Sequence, residues 1–230
     1  MRFFQNLISS VVLLGAMAGV AAAPATPREG ADFLGLPQAQ NTSSGNKVEV
    51  TEFFAYYCPH CHLLEPALAA WVKKQGDNIV FKRVHVPRDA NVLPQQRLFF
   101  TLESLGLLEK YHASVFEAMH GAERLRLNSD ELVFDWAEKA GIERAKFVEA
   151  YRSFGIQAKL NRSVALMDGY KIDQWPMLAI DGRFITSPTI AGRAVGVKSE
   201  AEMHVAVLRV ADFLVAQVQA EKKAAAKGKK

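Results

Sequence analysis

The chain has 230 residues, half of them hydrophobic, which is enough for one sizeable core or for one domain carrying an insertion. Its formal net charge is +4, but the last ten residues hold five Lys and one Glu and another cation is Arg2 at the extreme N-terminus, so the body between is about −1. Basicity confined to a tail, with no basic stripe interleaved with aromatics, argues against nucleic-acid binding as the main function.

The first residues read as an export signal. Arg2 is a short positive region, Leu7 to Val20 is apolar, and Ala21-Ala22-Ala23-Pro24-Ala25 supplies small residues for cleavage. Residues 1–25 are therefore set aside, with a cut expected after Ala22 or Ala25. A cut after Ala23 would leave Pro24 first and is disfavoured. A retained membrane anchor is the competing reading, because the small-residue stretch is close to spanning length. No other stretch approaches a span.

Residues 26–46 are polar and read as an extended lead-in. Lys47 to Tyr57 is rich in β-branched and aromatic residues and predicts a strand, with Val48, Val50, Glu52 and Phe54 on one face. Glu52 is thus a carboxylate on an otherwise apolar face. Pro59 suits a first helical turn, where its missing N–H costs nothing. A helix follows with Cys61, Leu64, Leu68 and Val72 at helical spacing, and Pro66 predicts a kink or an interruption within it. Ile79 to Val86 is the next strand. Strand, helix and strand at this spacing make a βαβ unit with the cysteines at the carboxyl end of its first strand.

From Pro87 the pattern is helical: Pro94 to Leu105, Leu108 to His120, a helix opened by Asn128 with Glu131 and closed at Gly141, Glu143 to Ser153, and Ile156 to Asp168. Their apolar stripe, Leu98 and Leu102 through Trp136 and Phe147, reads as core. Met177 to Ile180 and Phe184 to Thr186 flank Asp181-Gly182, a hairpin signal. Ser199 with Glu202 opens a last helix that buries Met203, Val207, Val210 and Leu214. The expected organisation is residues 26–87 and 164–217 forming one α/β domain, residues 88–163 inserted as a helical subdomain, and residues 218–230 a solvated, frayed basic tail.

Both cysteines of the chain, Cys58 and Cys61, lie in Phe53-Phe54-Ala55-Tyr56-Tyr57-Cys58-Pro59-His60-Cys61. A disulfide spanning two intervening residues restrains little unfolded-chain entropy, so chemistry explains the pair better than stapling. Cys58 stands where a strand turns into a helix, and unpaired N–H groups and the helix dipole favour its thiolate. Cys61, one turn inside, is the resolving partner. His60 between them can add a donor or a positive charge favouring the thiolate. A lower thiolate pKa stabilises the dithiol and makes the disulfide more oxidising. Zinc is disfavoured, because a second Cys-x-x-Cys is absent and ligands within one short turn seldom close a tetrahedral site. His62, His85, His112, His120 and His204 read as surface or satisfied core residues, and Glu65 as a helix-surface carboxylate.

Phe53 to Cys61 following a strand, in an exported chain with a helical insertion, resembles the DsbA family of periplasmic thiol oxidases in the thioredoxin superfamily. The resemblance covers nearly the whole mature chain. It implies a thioredoxin-like fold, Pro176 as a cis-proline facing the disulfide, and Glu52 as the buried acid beneath the pair. It also implies no cofactor beyond the Cys58–Cys61 disulfide, a monomer, exported proteins with free thiols as substrates, and reoxidation by a DsbB-like quinone-linked membrane protein. Two positions depart from the family pattern. The buried Glu is often paired with Lys on the next strand, whereas the aligned residue is Arg83, which stays charged and cannot relay a proton. The residue before the cis-proline is usually small or β-branched, whereas Trp175 stands here at the edge of the substrate groove. The competing functions are a disulfide reductase or isomerase of the same superfamily and a non-enzymatic holdase or assembly factor.

Overall fold

The structure, a computed structural model, describes residues 25–228; the expected signal peptide lies outside the described residues except for Ala25. A five-stranded sheet is the frame: β1 (Leu34–Gly35), β2 (Val48–Phe54), β3 (Ile79–His85), β4 (Met177–Ile180) and β5 (Phe184–Thr186), in the order β1-β5-β4-β2-β3. β2 and β3 are parallel, joined by helix α1 (Pro59–Gln75), while the β4–β5 hairpin and β1 run antiparallel to their neighbours. Every residue of β2 is buried, as befits a central strand covered on both faces.

The two faces carry different cores. Val48, Val50, Leu178 and Ile180 pack under α1 and under α8 (Glu200–Lys227) through Leu64, Leu68, Val207, Val210 and Leu214. Phe53, Val84, Ala179 and Ile185 face the cluster built by α2 (Leu93–Ser104), α3 (Leu108–His120), α4 (Asp130–Lys139), α5 (Arg144–Tyr151) and α6 (Phe154–Gly169). These five helices lie between β3 and β4 in the chain, and α6 runs unbroken through residue 163. No described helix is long and apolar enough to cross a membrane.

Local chemistry sets the boundaries. Ser153, Ser187 and Ser199 each cap a helix by accepting a backbone N–H three residues on. Ser129 does the same for α4, one residue after the expected Asn128, because its Oγ reaches the Leu132 N–H. Asp181 and Gly182 take φ of 50° and 68° in a turn closed by Arg183 N–H to Ile180 C=O at 3.0 Å. A Cβ on Gly182 would meet the Gln40 carbonyl oxygen at 2.1 Å, so the lead-in can pass the turn only at glycine.

Several expectations need correction. α1 is not interrupted at Pro66 and continues to Gln75. Helix α7 (Pro188–Val195), with Pro at its first turn, was not legible beforehand, nor was β1. The basic tail is not a frayed end up to Lys227: α8 continues through its Ala-rich segment, where Glu221 pairs with Arg183 and Lys222 bonds Asp181 at 2.6 Å.

Candidate active site

The turn from β2 into α1 places Cys58 at the N-cap of α1, with φ −86° and ψ 114°. Its Sγ accepts the Cys61 N–H at 3.2 Å, where a serine hydroxyl would ordinarily sit. Pro59 follows in the first turn. The hydrogen bond from the Cys61 side chain lowers the Cys58 pKa from 9.0 to about 7; burial opposes this, while the N–H groups of Cys61 and His60 and the charge of His60 assist. Burial pushes the Cys61 thiol well up, and the bond to Cys58 adds to it. The two sulfurs are unbonded, so the structure describes the dithiol, with one acidic sulfur near the surface of the core and one fully enclosed, reluctant one.

Pro176 comes to this turn from the start of β4. The Trp175–Pro176 peptide is cis, and the Trp175 carbonyl lies 3.8 Å from Cys58 Sγ as acceptor for the thiol. The Trp175 ring meets Tyr57 edge to face at 6.2 Å between centroids, and the Arg88 guanidinium lies 4.2 Å from the centre of the Tyr57 ring. On the other side His60, half of the pair's immediate surroundings in sequence, points outward, its Nδ1 2.7 Å from Glu200 Oε1. Burial of His60 is slight, and the Glu200 bond raises its pKa.

Beneath the pair, Glu52 is fully buried on β2 and stands in register with Arg83 on β3. Arg83 donates from Nε to Glu52 Oε2 at 3.1 Å and from Nη2 to Glu65 Oε1 at 2.8 Å. Glu65 is therefore not the surface carboxylate expected: α1 turns it inward beside Cys61 and Leu64, because Arg83 gives it a partner there. His112 on α3 joins the group, its Nε2 3.4 Å from Glu65 Oε2. Burial raises the Glu52 pKa to about 8; the Glu65 charge adds to this and Arg83 opposes it. One guanidinium thus faces two buried carboxylates, and Glu52 keeps its proton at neutral pH. Glu52, Glu65 and His112 each offer one ligand atom within 4.8 Å of the others, the only such trio among the described residues. Arg83 already supplies the positive charge between the two carboxylates, which disfavours a second cation.

Three of the five histidines read as bystanders converge on Tyr56, two residues before Cys58. The Tyr56 N–H donates to His85 Nε2 at 3.0 Å, its hydroxyl meets His112 Nδ1 at 2.9 Å, and its carbonyl accepts from His120 Nε2 at 2.7 Å. Burial lowers the His85 pKa to about 3, which keeps it neutral and able to accept. Strand β3 and helix α3 thus fix the backbone that presents Cys58. No spacing rule links these residues; only the fold joins them.

Residues 49–204 match the DSBA-like thioredoxin domain family. The thiol:disulfide interchange protein DsbA of Burkholderia cepacia is 39% identical over 221 residues, covering 95% of this chain and 99% of that protein. DsbA of Bordetella parapertussis is 35% identical over 196 residues, 85% of this chain and 88% of that one. Among solved structures, Pseudomonas aeruginosa DsbA superposes with a TM-score of 0.74 at 28% identity, covering 84% of this chain and 95% of that one. Reduced DsbA1 from Neisseria meningitidis superposes with a TM-score of 0.71 at 25% identity, covering 87% and 100%.

Proposed function

Because the chain belongs to the DsbA-like thioredoxin family and is a protein-disulfide oxidoreductase, we propose that it is a periplasmic dithiol oxidase that donates its Cys58–Cys61 disulfide to exported, folding proteins. The asymmetry of the pair carries this reading: Cys58 is acidic and presented at a helix N-terminus, while Cys61 is buried with its pKa raised.

The chemistry balances as two thiol–disulfide exchanges. A substrate thiolate attacks Cys58 Sγ, the Cys58–Cys61 bond breaks, and Cys61 leaves as a thiolate. Cys61 is the poorer holder of negative charge, so it takes a proton, and the protonated Glu52 beneath the pair is the acid that can supply it; once ionised, Glu52 in turn disfavours the Cys61 thiolate. A second substrate thiolate then attacks the substrate sulfur of the mixed disulfide. Cys58 leaves as the stabilised thiolate. The substrate loses two electrons and two protons to gain its disulfide, and the enzyme ends as the dithiol. Arg83 holds Glu52 and Glu65 in place and carries no proton itself. Trp175 and Pro176 border the groove in which the substrate chain lies beside Cys58. A DsbB-like quinone-linked membrane protein returns the dithiol to the disulfide. No cofactor beyond the pair is required.

The equilibrium of the pair with glutathione tests the direction of the reaction. A potential near that of thioredoxin, about −270 mV, would overturn the oxidase reading. In the periplasm Cys61→Ala should accumulate mixed disulfides at Cys58 with exported proteins. Recovery of none would overturn the substrate assignment.

A further inference from the structure

His60 has a 67% exposed side chain, and an imidazole with its ordinary titration is mostly neutral at pH 7. It does not stand alone. Its Nδ1 lies 2.7 Å from Oε1 of Glu200, the first residue of α8, behind the cap Ser199. The partner comes from 140 residues further along the chain. The same oxygen lies 3.8 Å from His204 Nε2, one turn on. Glu200 and His60 also line a cavity of about 230 Å³ beside Trp175 and Pro176, in which Lys198 is the other charged residue.

We propose that Glu200 is a positioning residue of the redox site: by its hydrogen bond it holds His60 as an imidazolium at the mouth of the Cys58–Cys61 pair and so sets how oxidising the pair is. The first turn of a helix favours a carboxylate, and a carboxylate at hydrogen-bond distance favours the protonated imidazole. The other groups facing His60 act differently. The slight burial of His60 and the Lys198 ammonium in the cavity favour the neutral ring, the Cys58 thiolate favours its charged form, and burial lowers the pKa of His204 and so favours the neutral form of that residue. Glu200 is the only carboxylate lining the cavity among the described residues. The sign follows. A charged His60 favours the Cys58 thiolate, the thiolate stabilises the dithiol, and the disulfide becomes more oxidising. The effect is confined to the pH range between the ordinary imidazole pKa, about 6.5, and the raised value of the paired ring. Below that range His60 is charged with or without Glu200.

The proposal takes its biological meaning from the dithiol-oxidase reading, and the test keeps the two apart. Glutathione equilibria at pH 7 and thiolate-absorbance titrations of Cys58 are measured for the full mature chain, Glu200→Gln, His60→Ala and the double variant. Glu200→Gln is expected to make the pair about threefold less oxidising, the size an exposed ion pair supports, and to raise the Cys58 pKa. His60→Ala should shift both in the same direction, and the double variant should equal His60→Ala. Glu200→Asp, which keeps the first-turn carboxylate but shortens its reach, should fall between. An unchanged equilibrium in Glu200→Gln, or the same shift on the His60→Ala background, would overturn the proposal. A reducing potential in the unmodified protein would overturn the oxidase reading and leave this comparison standing.

Discussion

Glu52→Gln is the sharpest test of the buried charge group. A carboxyl at about 8 in the folded protein, against 4.5 unperturbed, gives a gap of about 3.5 pH units, or roughly 5 kcal/mol at full development. The folded pKa is raised, so the contribution to stability is fully present below 4.5 and is lost as the pH climbs through about 8. Between pH 5 and pH 8 the unmodified dithiol protein should lose about 3 to 4 kcal/mol relative to Glu52→Gln. An amide has the shape of the protonated acid, and Arg83 keeps Glu65, so at pH 5 the two proteins should differ by no more than about 1 kcal/mol. Urea unfolding of the dithiol forms at pH 5, 6.5 and 8 reads the difference directly. The cysteines titrate in both proteins and largely cancel in the comparison. Parallel stability curves across that range would refute the claim that Glu52 is neutral in the folded protein. The same variant should slow formation of the mixed disulfide roughly a hundredfold if Glu52 supplies the Cys61 proton. An unchanged stopped-flow rate would remove Glu52 from the chemistry while leaving its burial intact.

Three further outcomes follow from the same geometry. Arg83→Lys should lower stability by about 1 to 3 kcal/mol, because an ammonium cannot reproduce the fork that spans Glu52 and Glu65; an unchanged urea midpoint would show that the bridge is dispensable. Trp175→Val removes the edge-to-face contact with Tyr57 and should raise KM for peptide dithiols several-fold while leaving the Cys58 pKa where it was. A shift in that pKa with KM unchanged would assign Trp175 to redox poise instead. His120→Ala leaves the Tyr56 carbonyl without its donor and should cost about 1 to 2 kcal/mol. Hydrogen exchange at the Tyr56 and Tyr57 amides should quicken, and protection equal to the unmodified protein would mean that His85 and His112 suffice to hold the turn.

Much of the frame could be read from local chemistry. The β-branched and aromatic run of β2, the serine caps, the Asp181-Gly182 turn and the proline after Cys58 each declare themselves within a few residues, and the helices between β3 and β4 follow from their periodicity. What stayed hidden depended on contacts between distant segments. Glu200 reaches the redox turn from 140 residues away, and Tyr56 is held by His85, His112 and His120 from two other elements. A histidine in isolation carries no sign of which backbone group it will meet. The tail was misread for a related reason: its charge suggested a frayed end, but α8 continues far enough for Glu221 and Lys222 to reach the β4–β5 turn.

Glu65 is the instructive case, because its signal was present. It lies four residues after Cys61 and beside Leu64, so the helical stripe that buries the resolving cysteine passes over it. Charge alone argued for the surface, and charge lost because Arg83 was waiting on β3. That single placement changes the chemistry of the whole group. With Glu52 alone, burial would still raise its pKa, but no second carboxylate would oppose the pull of Arg83 toward the ionised form. With Glu65 also buried, two acids share one guanidinium, and the acid that is fully enclosed retains a proton at neutral pH. An arginine that cannot relay a proton therefore does not remove proton transfer from this site: burial keeps Glu52 able to donate, and the second carboxylate that the arginine fixes adds to that effect.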